Sequence, residues 1–409
     1  MAAFGISQDI ARENSSLWRF GGYVGPAFLV AVGYIDPGNW ATDLEAGSRF
    51  GYQLLWVVFV SNLIALVVQS LSARLGVVTG DSYAANCRQH LSKRLWLSIW
   101  AAAEIGLIAT DVAEFMGAML GFELLFGFGS LISAVLTVIA VFGILSIYRW
   151  GNRSVEYVFI GMIAMVALCY WVELTLAPPR WASVCSSTFW PQLNRNSAAI
   201  AAGIVGATVM PHNLFLHSSL VRKNTDDETR VALLSTAGDF LIALNASWLI
   251  NAAILITAAT VFFKNGRTVV SLEEAHLTLL PTLGSLAAGA FAVGLLVAGI
   301  SSSVTATLAG QNIFESFWGQ GTNLFFRRTV TLLPALAIIA MGFDPFRILI
   351  VSQIALSTVL PFALIPLLLL TTRPSIMGNY TNGWLQNVCA VIATVVILLF
   401  NFMLVWSWI

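Results

Sequence analysis

Two short stretches of this chain place polar side chains beside a proline in the middle of long apolar segments. They are Asp36-Pro37-Gly38-Asn39 and Met210-Pro211-His212-Asn213. A proline lacks an N–H and clashes with the carbonyl four residues earlier, so we expect the carbonyls of Gly33 and Ala207 to be free. Irregular backbone at membrane depth is tolerated only where it is buried in protein or lines a cavity. Two such interruptions, at corresponding places in two halves of a chain, indicate the binding site of a secondary transporter.

The two interruptions together supply candidate ligands for a divalent metal ion. These are the Asp36 carboxylate, the Asn39 amide oxygen, the Ala207 carbonyl and the Met210 sulfur. Oxygen ligands alone would suit Mg²⁺, Ca²⁺ or Mn²⁺, whereas a thioether favours Mn²⁺, Fe²⁺ or softer metals. The alternatives are that Met210 only fills a gap in the apolar core and that Asp36 forms a structural ion pair with a neighbouring helix.

Three acidic residues form a second group, in the third apolar segment. Glu104, Asp111 and Glu114 are seven and then three residues apart, so they fall within roughly 80° of one helix face. Chains of Asp, Glu and His inside membranes mark proton relays, and His212 is the nearest titratable group by analogy. In the alternative interpretation Glu114 and Arg328 form a buried structural pair, and His212 hydrogen-bonds a freed carbonyl.

Further polar side chains lie at membrane depth. We expect these to satisfy hydrogen bonds between helices: Gln69, Asp239, Asn245 and Asn251. We expect four groups to surround and support the ligands: Gly33, Gln69, Thr208 and Asn213. His217 has no comparable context and is interpreted as structural.

The composition is that of a polytopic membrane protein. Of 409 residues, 58% are hydrophobic and 10% are charged, against roughly 25% charged in soluble domains. The formal net charge of zero gives no indication of a nucleic-acid partner. The four cysteines are far apart and form no Cys-x-x-Cys pair, which argues against a disulfide framework and a thiolate metal site. Residues 1–21 read as a short cytosolic tail rather than a signal peptide.

Eleven segments meet the requirement of about 20 mainly apolar residues for a membrane span. Their expected extents are 22–48, 53–79, 95–122, 129–148, 155–177, 198–222, 231–262, 282–316, 324–342, 344–371 and 384–408. The second interruption follows the first by 174 residues (210 minus 36). Five spans is an odd number, so residues 22–177 and 198–372 are expected to form two repeats of inverted topology within a transporter core at 22–372, with the eleventh span at 383–409 outside them.

The basic residues predict the orientation. With a cytosolic N-terminus, 14 of the 20 lysines and arginines fall in inside segments and 6 in outside segments. An excess of basic residues marks the cytosolic side. We therefore expect a multi-pass protein of the cell (inner) membrane with its N-terminus in the cytosol and its C-terminus outside.

The motif set resembles that of the Nramp family of metal transporters, of the bacterial manganese type, over essentially the whole chain. Besides the two interruptions, the resemblance is carried by these stretches: Ala109-Thr-Asp-Val-Ala-Glu-Phe115, Gly206-Ala-Thr-Val-Met-Pro-His212, Gly299-Ile-Ser-Ser-Ser303 and Arg327-Arg328. The resemblance implies an all-α membrane protein of the LeuT-type fold, with eleven transmembrane helices of which the first and sixth are broken. It also implies import of Mn²⁺ and Fe²⁺ by alternating access, coupled to protons, with Cd²⁺ and Co²⁺ as further expected substrates.

The resemblance also implies residue roles. The metal ligands would be those named above, with Gln353 as an additional ligand in closed states. The proton route would use Asp36, His212, Asp111 and Glu114, with Glu104 on the same helix face and Arg327 or Arg328 as the basic partner toward the cytosol. No cofactor, nucleic acid or obligate protein partner is expected beyond the metal ion, protons and the lipid bilayer.

Two alternatives stay open at the sequence level. A carrier of the same fold could move Mg²⁺ or a sodium-coupled organic solute, although Met210 argues against the first and Asp36 against an organic anion. An intramembrane enzyme is the remote alternative, since the chain has neither a His-Glu-x-x-His motif nor a Gly-x-Ser-x-Gly elbow.

Overall fold

The computed structural model describes residues 26–148, 152–221, 229–319 and 324–408. The tail expected at 1–21 and most of the cytosolic loop after residue 222 lie outside the described residues. The helices are α1 Pro26–Gly33, α2 Pro37–Phe50, α3 Leu55–Thr79, α4 Tyr83–His90, α5 Lys93–Phe126, α6 Ser130–Tyr148, α7 Asn152–Leu176, α8 Trp181–Phe189, α9 Arg195–Thr208, α10 Pro211–Leu220, α11 Thr229–Val261, α12 Leu272–Leu283, α13 Ser285–Trp318, α14 Leu324–Ala340, α15 Pro345–Thr371, α16 Pro374–Met377 and α17 Trp384–Trp408.

Within these ranges, seven helical segments are long and apolar enough to cross a membrane. They are Leu55–Thr79, Lys93–Phe126, Arg195–Leu220, Thr229–Asn265, Ser285–Trp318, Pro345–Thr371 and Trp384–Trp406. Shorter apolar helices at Ser130–Ser146 and Ile160–Leu176 lie in α6 and α7, where two further spans are expected. The remaining expected spans coincide with α1 plus α2 and with α14.

The first apolar segment changes direction at residues 34–36. Helix α1 ends at Gly33 and α2 begins at Pro37. Asp36 has extended backbone angles (φ −69°, ψ 163°), and its carboxylate accepts a hydrogen bond from the Asn39 N–H. An aspartate cap followed by proline at the first helical position is a strong start signal, because the N–H that proline lacks would have no partner within the helix at that position. The sequence at the first interruption therefore starts a new helix.

The apolar segment that contains Met210 is interrupted in the same way. Helix α9 ends at Thr208 and α10 begins at Pro211, with Met210 in extended conformation immediately before the proline. The last carbonyls of α9 have no partner within their own helix, as at any helix end. Both interruptions therefore place free backbone groups in the buried interior.

Glycines let the helices approach closely around these interruptions. A Cβ at Gly117 of α5 would lie 2.1 Å from the Pro37 side chain, and one at Gly206 of α9 would lie 2.2 Å from the carbonyl oxygen of Gln353 in α15. Small residues at helix contacts are the usual means of packing helices in membranes. They bring α5 and α15 directly against the site.

Short helices fill three of the connections, which the hydropathy pattern does not show. Helix α8 lies within the 178–197 connection, α4 starts with a Ser82 cap and α12 with a Ser271 cap. Helices α4 and α12 are started by these serine caps, whereas α8 has no side-chain cap. The hydropathy pattern alone therefore treats these segments as plain connectors.

The last helix, α17, combines an exposed apolar surface with one polar attachment to the core. Residues such as Ile392, Leu399 and Phe402 are more than half exposed, as suits a face toward lipid. The Asn401 amide donates to the Ser357 carbonyl (2.8 Å) and accepts from the Ser357 hydroxyl (2.7 Å). The Ser357 carbonyl is the one that Pro361, four residues later, leaves without a helical donor.

Candidate metal site and proton route

The carboxylate of Asp36 is completely buried and only partly satisfied. Its Oδ1 accepts hydrogen bonds from the Asn39 backbone N–H (2.8 Å) and from the Asn39 side-chain amide (2.7 Å). Its Oδ2 has no hydrogen-bond partner among the described residues, and no described cation pairs with it. A buried carboxylate without a counter-charge costs several kcal/mol. This oxygen is therefore a buried group that a cation or a proton would stabilise.

Asn39 connects the two interruptions. Its side-chain amide donates to the Ala207 carbonyl (3.1 Å) as well as to Asp36. The Ala207 carbonyl is the one expected to be freed by Pro211, and the structure places it within hydrogen-bonding distance of the first interruption. Two of the four sequence-predicted donor atoms, the Asp36 carboxylate and the Ala207 carbonyl, thus meet at the Asn39 amide nitrogen, whereas the Asn39 oxygen faces Asn251.

Asn251 of α11 supports this group from outside. Its amide donates to the Tyr34 carbonyl in the first interruption (2.8 Å) and approaches the Asn39 side-chain oxygen (3.4 Å). The sequence indicates only that Asn251 forms a hydrogen bond to another helix. The structure shows that its partners belong to the first interruption, and no local pattern around Asn251 reveals this.

Met210 is fully buried, and a side-chain contact joins its sulfur to the first interruption. The Asn213 amide donates to the sulfur (3.6 Å), and the same amide lies where a Cβ at Gly33 would stand, at 2.6 Å. Only a glycine at position 33 leaves room for this arrangement. Asn213 therefore holds the thioether side of the site against the end of α1.

Gln353 lies over the start of α2. A Cβ at Gly38 would stand 1.8 Å from the Gln353 amide nitrogen and 2.9 Å from Asp36 Oδ2. The Gln353 side-chain oxygen has no hydrogen-bond partner in the described structure. The glutamine side chain therefore lies beside the unsatisfied carboxylate oxygen, where an ion bound to Asp36 would meet it.

The chemistry of these groups would suit a small divalent cation that accepts both oxygen and sulfur ligands. The Asp36 carboxylate would supply one negative charge, the Ala207 carbonyl and the Gln353 amide oxygen would supply neutral donors, and the thioether would admit ions softer than Mg²⁺ and Ca²⁺. The carbonyl ends of α1 and α9 add the negative ends of two helix dipoles. The arrangement can hold a dehydrated cation between two pairs of half-helices.

A buried ion pair lies on the α5 side of the site. The fully buried Arg328 guanidinium donates to the Asp111 carboxylate and to the Ser303 hydroxyl. The Glu114 carboxyl is buried near the same arginine, aspartate and Ser302 but forms no ion pair in the described structure. Arg328 is thus paired with Asp111, and not with Glu114 as the structural alternative supposed.

Glu114 is also adjacent to the metal donors. It precedes Gly117 by three residues, about one helical turn, and Gly117 packs on Pro37. The His212 imidazole contacts the Thr110 hydroxyl on the same helix through Nδ1 (3.3 Å), and its Nε2 has no partner among the described residues. Titratable side chains therefore lie along α5, beginning with Glu114 near the first interruption, and His212 contacts the same helix from α10.

A second ion pair continues this line. Arg327 donates to both carboxylate oxygens of Glu104 (2.8 and 2.9 Å), and the Trp100 indole donates to the same carboxylate (3.1 Å). A single guanidinium nitrogen, Nη2, makes both contacts, so the pair is a charge-assisted hydrogen bond without the two-nitrogen fork. Of the three acids predicted on one face of α5, Glu104 pairs with Arg327 and Asp111 pairs with Arg328. Glu114 lies near Arg328 without pairing with it.

The remaining candidates occupy less direct positions. The Thr208 hydroxyl donates to the Ile204 carbonyl within its own helix (2.8 Å). Gln69 is fully buried in α3, near Tyr34. Asp239 accepts from the Ala27 N–H (2.9 Å) and Asn245 from the Asn62 amide (3.2 Å), so both join helices as expected. His217 is buried against the Phe240 ring.

An all-helical chain with several segments able to span a membrane, and with a candidate cation site at two helix interruptions, has the features of an integral membrane transporter. The model of the natural resistance-associated macrophage protein-like (Nramp) family matches residues 27–407. The chain belongs to the Nramp family, as its motifs predict. This family consists of transporters, so the intramembrane-enzyme alternative is dropped.

The relatives cover nearly all of the chain. A divalent metal cation transporter MntH from Caldanaerobacter subterraneus subsp. tengcongensis is 42% identical over 395 residues, which are 95% of this chain and 94% of the relative. The MntH of Klebsiella pneumoniae is 42% identical over 387 residues, 94% of each chain.

Solved structures agree with this assignment. The manganese transporter of Eremococcus coleocola, in complex with an aromatic bis-isothiourea substituted compound, superposes with a TM-score of 0.85 at 31% identity, covering 97% of this chain and 90% of that one. MhsT in complex with L-phenylalanine (TM-score 0.63, 17% identity, 93% and 98% covered) shares the fold alone. The fold is thus that of Nramp and LeuT-like transporters.

We expect Asn251→Leu to weaken Mn²⁺ binding to the purified protein roughly five- to tenfold, the equivalent of one net hydrogen bond. The substitution keeps the branching and the number of side-chain heavy atoms but removes the hydrogen bonds to the Tyr34 carbonyl and the Asn39 side-chain oxygen. Isothermal titration calorimetry measures the effect. Asn245→Leu, on the same helix but bonded to Asn62, is the matched control, and equal losses in both variants would contradict the assigned support.

Proposed function

We propose that this protein imports divalent transition metal ions, Mn²⁺ and Fe²⁺ foremost and Cd²⁺ and Co²⁺ in addition, in symport with protons. The observation that carries the proposal is the unsatisfied Asp36 oxygen in a donor group that includes a buried thioether. Mn²⁺ and Fe²⁺ accept both kinds of donor, whereas the thioether contributes little to Mg²⁺ or Ca²⁺. The names of the MntH relatives and of the manganese transporter structure point to the same substrates.

Alternating access provides the transport cycle in this proposal. We assign eleven membrane spans, with repeats at 22–177 and 198–372 related by inverted topology and with the first and sixth spans broken. The protein would lie in the inner membrane with its N-terminus in the cytosol and C-terminus outside, as the basic residues indicate. The donors lie at the junctions of the half-helices α1, α2, α9 and α10. Movement of these half-helices against the other helices would open the site to one side of the membrane at a time.

In this proposal, the acidic residues of α5 carry the proton. Arg328 and Asp111 neutralise each other in the interior, so the neighbouring Glu114 is the acid with no cation of its own in the described structure. A buried acid of this kind can hold a proton and release it when a cation arrives nearby. Protons would travel from Asp36 and His212 through Glu114 and the Asp111–Arg328 pair toward Arg327 and Glu104.

A carrier for Mg²⁺ or for a sodium-coupled organic solute fits the site less well. The buried Met210 sulfur would contribute little to the binding of Mg²⁺, which prefers oxygen ligands. The likeness to MhsT is one of fold and says nothing of the substrate here. An organic anion would meet the Asp36 carboxylate at the start of α2, where such anions are bound by free helix N-termini.

We expect Met210→Ala to reduce the preference for Mn²⁺ and Cd²⁺ over Ca²⁺ and Mg²⁺ by roughly tenfold or more, because only the soft ions lose a favoured ligand. Uptake into proteoliposomes, measured for each ion and in competition, gives the ratio. Met377→Ala, a buried methionine beyond α15, is the control for loss of a core side chain. Equal effects on all four ions would contradict a role for the Met210 sulfur in ion selectivity.

We expect Glu114→Gln to retain Mn²⁺ entry while lowering the proton flux per metal ion severalfold, because the amide cannot take up a proton. Proteoliposomes with an internal pH dye report both fluxes together. Glu315→Gln, which alters a glutamate bonded to Gln311 near the end of α13, serves as the control. A proton flux per Mn²⁺ equal to that of the parent would exclude Glu114 from the route.

A further inference from the structure

The short helix α4 carries a tyrosine that joins the helix starting after Met210 to the helix carrying Gln353. Tyr83 is the first residue of α4 and is fully buried. Its hydroxyl donates to the Ala363 carbonyl of α15 (2.5 Å), and its backbone N–H donates to the Ser218 hydroxyl of α10 (2.8 Å). One residue therefore bonds α10 and α15 to each other through α4.

Several contacts fix Tyr83 to the far end of α10. The Tyr83 ring stacks on the Phe215 ring, with centroids 4.5 Å apart and planes inclined by 17°, a favourable distance for an aromatic pair. The Ser218 hydroxyl that accepts from Tyr83 donates in turn to the Phe215 carbonyl (2.8 Å). A Cβ at Gly76 of α3 would lie 2.2 Å from the Ser218 carbonyl oxygen, so α3 also packs directly on this end of α10. The end of α10 remote from Met210 is therefore fixed to both α3 and α4.

On α15, the residue that Tyr83 contacts and the residue beside the metal donors lie on opposite sides of Pro361. Ten residues (363 minus 353) separate Ala363 from Gln353, about 15 Å along a helix. A proline inside a helix removes a backbone hydrogen bond and lets the helix bend there. The half of α15 that carries Gln353 can therefore change its angle to the half that Tyr83 contacts, and the Tyr83 hydroxyl can act on Gln353 only through α15.

We propose that Tyr83 is a positioning residue for metal binding, which anchors the Ala363 half of α15 to α10 so that Gln353 reaches the ion. The Gln353 amide lies over Gly38 at the start of α2, and its place there depends on where the rest of α15 is fixed. The Tyr83 hydroxyl bond fixes it to α10, the helix that starts directly after Met210. This role rests on the proposed function, in which a divalent ion binds beside the two interruptions.

The test is a double-mutant cycle on the Mn²⁺ affinity of the purified full-length protein, measured by isothermal titration calorimetry. Tyr83→Phe keeps the ring stack and the backbone bond to Ser218 and removes only the bond to Ala363. We expect Tyr83→Phe and Gln353→Ala each to weaken Mn²⁺ binding roughly fivefold, about one net hydrogen bond. The double variant is expected to bind no more weakly than Gln353→Ala alone. Two independent effects would instead multiply, and that result, or parental affinity in either single variant, would overturn the positioning role.

Two further variants separate positioning from a general loss of stability. Tyr52→Phe is the matched control, because it removes a tyrosine hydroxyl that bonds to Thr260 of α11 (2.8 Å), and it should retain the parental affinity. Ser218→Ala removes the acceptor of the Tyr83 N–H on α10, so it should show the same lack of additivity with Gln353→Ala and decides the question if Tyr83→Phe does not fold. Failure of the proposed function would look different, because the parent itself would then bind no Mn²⁺.

Discussion

The structure depends on one constraint, which is a fully buried carboxylate whose charge no described cation compensates. Asp36 uses one oxygen to start α2 and to hold Asn39, and leaves the other unsatisfied. The groups around it, including Asn251, Asn213 and Gln353, fix the two interruptions without neutralising this oxygen. A protein interior tolerates such a charge only when a cation or a proton completes it, and a transporter must be able to exchange one for the other.

This constraint relates the metal donors to the acids of α5. Gly117 allows α5 to pack on Pro37, and the same close approach brings Glu114 next to Asp36. A cation that arrives at Asp36 raises the local positive charge and favours release of a proton from neighbouring acids. The buried Arg328–Asp111 pair keeps this region near neutrality. Metal binding and proton release can therefore be coupled by electrostatics without direct contact between the two.

The sequence predicts much of the site because its signals are local. Proline beside Asp36 and Met210 indicates both interruptions, and simple backbone chemistry points to the Ala207 carbonyl. The role of Asn251 and the choice of Asp111 as the partner of Arg328 depend on how distant helices pack, so no local pattern reveals them.

The most direct measurement is anomalous X-ray scattering at the manganese absorption edge from crystals of the parent protein grown with Mn²⁺. The account predicts an anomalous peak between the two interruptions, within coordination distance of the Asp36 carboxylate, the Ala207 carbonyl and the Met210 sulfur. A strong peak elsewhere, with none at Asp36 in protein that transports Mn²⁺, would contradict it.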